Sequence, residues 1–172
     1  MRRKAFAVAL GVVTAFAMAL PAARADFGTG SVPCGEGTVT FSPSNLWPPN
    51  HKMRTITAKF DEAGTGEDNG NFIGLQVNSI TYDEQGHEKG ATARHAPDFS
   101  GVGNNDLGTD TANGTDPATV TFRLRSERMG KDADGRTYTI NVSCLDFGTP
   151  DSLDPAYTNT AEFTVLVPHD RG

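Results

Sequence analysis

Apolar residues in this chain fall at every second position over short runs, and glycine, proline and polar residues separate the runs. The cleanest run is Tyr138, Ile140, Val142 and Cys144, interleaved with Thr137, Thr139, Asn141 and Ser143 and preceded by Asp134-Gly135. A period of two after Asp-Gly predicts a half-buried strand leaving a tight hairpin. Val39 and Phe41 predict a first strand over 37–41. It reads as an edge strand, because Pro43, Pro48 and Pro49 interrupt the alternation after it. Ile56, Ala58 and Phe60 form an inward row against Thr55, Thr57 and Lys59. In 72–82, Leu75 and Val77 share one parity while Ile80 and Tyr82 share the other, which predicts a bulge at Asn78-Ser79. Val120, Phe122 and Leu124 point inward, with Thr119, Thr121, Arg123 and Arg125 outward. Ala161, Phe163, Val165 and Val167 make a last strand. Between them, 83–117 is glycine-rich with little apolar period, a length usually kept for function or motion. About seven short strands with Gly/Pro turns predict an all-β chain folded as an antiparallel β-sandwich.

The first 25 residues stand apart. Arg2, Arg3 and Lys4 precede an uncharged apolar run over 5–20, and Ala23-Arg24-Ala25 is a small-x-small cleavage pattern. This predicts a cleaved signal peptide over 1–25. The run is too short and wrongly flanked for a stable membrane span, so no transmembrane anchor is expected in the mature chain. A flexible lead-in over 26–36 and one sandwich domain over 37–170 would remain. The expected location is outside the cytoplasm, extracellular or periplasmic. The whole chain carries a formal charge of −6; losing the four basic residues of the leader leaves 11 against 21 acidic, or −10. Such a surface repels nucleic acid and anionic membrane, and suits divalent cations, basic partners or plain solubility.

Two cysteines, Cys34 and Cys144, both fall after the leader. In an exported protein an even pair predicts a disulfide, here closing a loop of 110 residues. The chain-entropy estimate for such a loop is about 4–5 kcal/mol. The alternative is two separate thiols. A zinc site lacks the paired ligand spacing.

The segment 44–53, SNLWPPNHKM, together with Ala96-Pro97-Asp98-Phe99, 124–127, 135–140, Cys144-Leu145-Asp146 and Val167-Pro168-His169-Asp170, resembles bacterial secreted immunoglobulin-like domains related to hyalin-repeat and fibronectin type III modules. Tyr138 opens the penultimate strand, where the tyrosine corner of such a fold would sit. The chain departs from the group at 61–71, which holds acids but no cysteine. The resemblance implies an immunoglobulin-like sandwich that acts as an adhesive or ligand-binding unit, without enzyme activity.

Candidate chemistry is sparse. His51, His87, His95 and His169 have no i, i+4 or H-x-H spacing, so local spacing supports no copper or zinc cluster. No nucleophile elbow or other catalytic signature is present. Asp132-x-Asp134-Gly135 resembles the start of a calcium loop, and calcium is the one cofactor the sequence suggests; a turn explains the same residues without metal. Trp47, the only tryptophan, either caps the core or offers a flat surface to a sugar. A partner surface is assigned to Trp47 and to His51, His95, Asp98 and Phe99, in and beside the resembling patches. The expectation is a secreted, non-catalytic binding or adhesion module for a protein or carbohydrate. The alternative is a secreted hydrolase or metal-dependent enzyme on the same scaffold.

Overall fold

The computed structural model describes residues 28–62, 72–83, 96–109, 116–128, 134–147 and 157–169, and these carry nine strands and no helix. The predicted leader lies outside the described residues. One antiparallel sheet has the order β1 (Gly30–Cys34), β2 (Gly37–Ser42), β3 (Met53–Glu62), β7 (Ala118–Arg125), β5 (Phe99–Ser100). The second has the order β6 (Asn105–Thr109), β4 (Phe72–Tyr82), β8 (Arg136–Asp146), β9 (Tyr157–Val167). The inward rows read from the alternation meet in one core. Val39, Ile56, Phe122, Ile140 and Val165 are all buried, and Phe41 stacks on Phe163 with ring centroids 4.1 Å apart. Burying large apolar side chains from both sheets is the main favourable term holding them together.

Four expectations change. The 26–36 lead-in contains strand β1, joined to β2 by the two-residue turn Gly35-Glu36, with Cys34 opposite Gly37. Gly35 has φ 61°, which suits glycine, and β2 is therefore an inner strand. Pro33 did not prevent β1, because an edge strand tolerates a missing N–H. The strand count is nine among the described residues, not about seven, since β5 and β6 lie inside the segment read as irregular. Both are short sheet edges with little need for alternation. Finally, Asp134-Gly135 does not close a tight hairpin. Residues 126–135 carry the chain from β7 in one sheet to β8 in the other. Gly135, at φ 82°, sits where a Cβ would strike the Val167 carbonyl.

The bulge is where the parity switch put it. The β4–β8 register shifts between Val77 and Ser79. The side chain of the extra residue, Asn78, donates to Asn141 Oδ1 at 3.1 Å and to Ser143 Oγ at 2.8 Å, tying it to the neighbouring strand.

The disulfide is formed. Cys34 at the end of β1 is bonded to Cys144 near the end of β8, with Cα atoms 6.3 Å apart, and both residues are buried. It links the two sheets covalently at one end. Among the described residues, no helix is long and apolar enough to cross a membrane.

Candidate functional site

At the end of the sheets opposite the disulfide, β3 and β8 begin and β4, β7 and β9 finish. Residues from 44–53, 96–99, 124–127, 135–140 and 167–169 converge there. The loop before β3 is fastened to the residue after β7. Ser126 Oγ donates to Pro48 O at 2.7 Å, Ser126 N to Lys52 O at 2.9 Å, and His51 N to Ser126 O at 2.9 Å. Asn50 closes a small turn by accepting from Lys52 N at 3.2 Å. These bonds hold His51 at φ 62°, a conformation that non-glycine residues seldom adopt without outside support.

Behind this loop lies a charge cluster centred on Asp98, whose side chain is 5% exposed. Its Oδ1 lies 3.1 Å from Arg125 Nε and its Oδ2 2.9 Å from Arg136 NH1. Arg125 uses its whole fork, since its two terminal nitrogens also donate to His51 O at 2.7 Å and Pro97 O at 2.9 Å. The backbone completes the tie, with Arg125 N donating to Asp98 O at 2.8 Å. A buried guanidinium needs this planar multidentate company, which lysine could not supply. Arg136, fully buried, also lies over the Tyr82 ring, 4.7 Å from its centroid. Phe99 packs edge-on against the same ring.

Tyr138 anchors the cluster to the core. Its hydroxyl donates to Arg125 O at 2.9 Å and accepts from Arg136 NH1 at 3.2 Å. The first bond runs from the start of β8 back to the end of β7 and so joins the two sheets. Burial pushes its hydroxyl from 10.0 up to about 12, against the opposing pull of Arg136. Glu127, also fully buried, has its Oε1 3.0 Å from His51 Nδ1, while nearly half of the His51 side chain faces solvent. Two acids and two guanidinium groups thus balance within a few ångströms. The cluster fixes the 96–100 segment and the 46–52 loop in place, its carboxylates being held by cations of the same chain.

The structure brings Trp47, His51, Asp98 and Phe99 to this one end, but with different exposure. His51 is exposed, Trp47 and Phe99 are half-buried, and Asp98 faces inward. His95 and Asp132 lie outside the described residues. Asp134 is exposed in the turn before β8. Among the described residues, no three His, Cys, Asp or Glu side chains gather as a metal-binding group. Arg125, read from the alternation as outward-facing, is 13% exposed and folds over Asp98. Sequence reasoning also missed Arg136 and Glu127. Arg136 was detectable, because it shares the parity of Tyr138 and Ile140, and a charge on an inward row requires a partner. Glu127 lies beyond the end of β7, where alternation carries no information.

Two further features lie outside the cluster. Pro43, Leu46, Trp47, Arg54 and Thr55 line a pocket of about 240 Å³. On the described surface, the exposed large apolar residues are Val102, Leu107 and Tyr157. Comparison with protein-family models, curated proteins and solved structures finds no match for the chain.

Proposed function

We propose that this chain is exported and works as a non-catalytic binding or adhesion module of immunoglobulin-like design, taking a protein or carbohydrate partner. The strand orders support the design. β2-β3-β7-β5 corresponds to the A-B-E-D sheet of such domains and β4-β8-β9 to C-F-G, with β6 added beside β4. One departure is that the chain reaches the edge strand β5 before the edge strand β6. The leader pattern and the Cys34–Cys144 bond support export.

The observation that carries the reading is where apolar groups face solvent. Val102 is 48% exposed and Leu107 58%, and both belong to the segment between β5 and the end of β6. Leu107 lies opposite Gly74, which is opposite Leu145 in turn. A Cβ on Gly74 would meet both leucines at 3.2 Å, closer than ordinary contact, so the two leucine side chains close over the glycine and form one apolar strip across the strands. Apolar groups on a sheet edge and its outer face invite a partner, since a monomer gains nothing by wetting them. The charge cluster behind 96–100 makes the presentation rigid, and binding to a preformed surface costs less ordering entropy.

The test compares wild type with Val102→Ser/Leu107→Ser on glycan arrays and on immobilised extracellular proteins. Loss of a wild-type binding signal, with an unchanged melting temperature, is the expected result. Retained binding by the double variant would remove this surface from the reading. Turnover by the purified protein in a broad hydrolase screen would replace the reading with the enzyme alternative.

A further inference from the structure

Arg54 is a cation placed where the fold gives it nothing to pair with among the described residues. β3 sends Ile56, Ala58 and Phe60 into the core, and Arg54 continues that row, opposite the buried Leu124. Its Nε is shielded from solvent and meets no hydrogen-bond acceptor among the described residues. Nor does its guanidinium form an ion pair with any of them. Arg125 and Arg136, by contrast, both hold Asp98. A shielded donor without an acceptor is costly, and native structures rarely keep one without a reason.

A ligand cannot reach that shielded Nε, but it can meet the guanidinium's charge from the pocket side, and the surroundings say what such a ligand would be. Arg54 lines the pocket of about 240 Å³ together with Pro43, Leu46, Trp47 and Thr55, of which Trp47 is half-buried and Leu46 belongs to the core. The chemistry is one fixed positive charge beside flat apolar walls. A bare inorganic anion would leave those walls unfilled. A polyanion would be repelled by a chain whose formal charge is −6. A single carboxylate on a flat, mostly apolar body matches both parts, because a guanidinium fork is shaped for a carboxylate.

We infer that this pocket binds an organic monocarboxylate, its carboxylate on Arg54 and its apolar body against Trp47 and Pro43. The ligand is either a free aromatic acid or the C-terminal residue of a peptide. The inference uses none of the residues of the apolar edge discussed above and stands or falls without it.

Trp47 makes the test direct, because it is the only tryptophan and lines the pocket. Its fluorescence is titrated with phenylacetate, N-acetylphenylalanine, the amides of both, and acetate. Saturable changes with one or both aromatic acids, and binding of the matching amide weaker by roughly tenfold or more, are expected from loss of a charge-assisted pair. Preference for phenylacetate points to a free acid, and preference for N-acetylphenylalanine to a chain terminus. Arg54→Gln should bind acid and amide alike. Should that variant melt early, Arg54→Lys replaces it and should retain only part of the preference. No saturable change with either acid, equal binding of acid and amide by the wild type, an unaltered preference in the Arg54 variant, or acetate binding as tightly as the aromatic acids would each overturn the inference.

Discussion

The two ends of this molecule are closed by different means, and β8 runs through both. At its start, Arg136 and Tyr138 belong to a cluster of charges and hydroxyls drawn from separated parts of the chain. Near its finish, Cys144 is bonded to Cys34. The covalent end needs two residues and an oxidant. The charged end needs Asp98, Arg125, Arg136, Tyr138 and Glu127 together; all but Arg125 are buried, and Arg125 is mostly so, at the expense of hydration. The difference lies in how each end fails. A disulfide lost leaves two small thiols that can stay buried. A carboxylate lost leaves two guanidinium groups without their counter-charge.

The sharpest way to break the comparison is Asp98→Ala. It removes the acceptor shared by Arg125 Nε and Arg136 NH1. Removing one partner of a buried ion pair costs about 3–5 kcal/mol. Urea denaturation of the variant measures the loss. A cost below about 1 kcal/mol, the range of an exposed pair, would mean the cluster is solvated in solution.

Cys34→Ser should cost somewhat less, about 2–4 kcal/mol, because the bond acts mainly on the unfolded chain. Cys144→Ser should cost about as much, since both cysteines are 2% exposed and in either variant a hydroxyl replaces a buried sulfur while the same bond is lost. Alkylation followed by mass spectrometry of the unreduced protein checks the bond itself; two modified thiols would show that it does not form.

Alkaline titration addresses the charged end alone. The folded state raises Tyr138 from 10.0 to about 12, so it keeps a proton that the unfolded chain gives up earlier. The stabilisation from this group is therefore whole below pH 10 and is lost as pH rises toward 12, by roughly 2 kcal/mol. Tyr138→Phe should be less stable at neutral pH, because Arg125 O keeps only the Glu127 N–H and Arg136 loses the hydroxyl as acceptor, but should lose less between pH 10 and 12. An identical alkaline decline in both proteins would assign the effect to other groups.

The smallest effect is expected from His51→Ala. Its imidazole reaches Glu127 Oε1, but 49% of the side chain is exposed, and such pairs contribute about 1 kcal/mol or less. A thermal melt that drops as far as that of Asp98→Ala would place His51 inside the cluster rather than at its rim.

Much of this architecture is written in local pattern. Alternation placed the inward rows of β2, β3, β7, β8 and β9, because a strand facing a core on one side must repeat every second residue. The parity switch revealed the bulge at Asn78, and an even cysteine count revealed the bond. Edges escaped the reading for the same physical reason: β1, β5 and β6 have little to bury, so Pro33 or a run such as Asn105-Asp106-Leu107 breaks no rule there. The charged end was hidden differently. Asp98, Arg125, Glu127 and Arg136 carry no local signal of their mutual distance, since their contacts are set by two sheets brought face to face. Alternation assigned Arg125 to solvent because parity describes a strand interior, whereas at a strand end a long side chain can turn back over the edge. Arg54 shows the same limit. Its parity is visible in the sequence, but only the tertiary structure decides that Trp47, Pro43 and Leu46 surround it and that no carboxylate among the described residues reaches it.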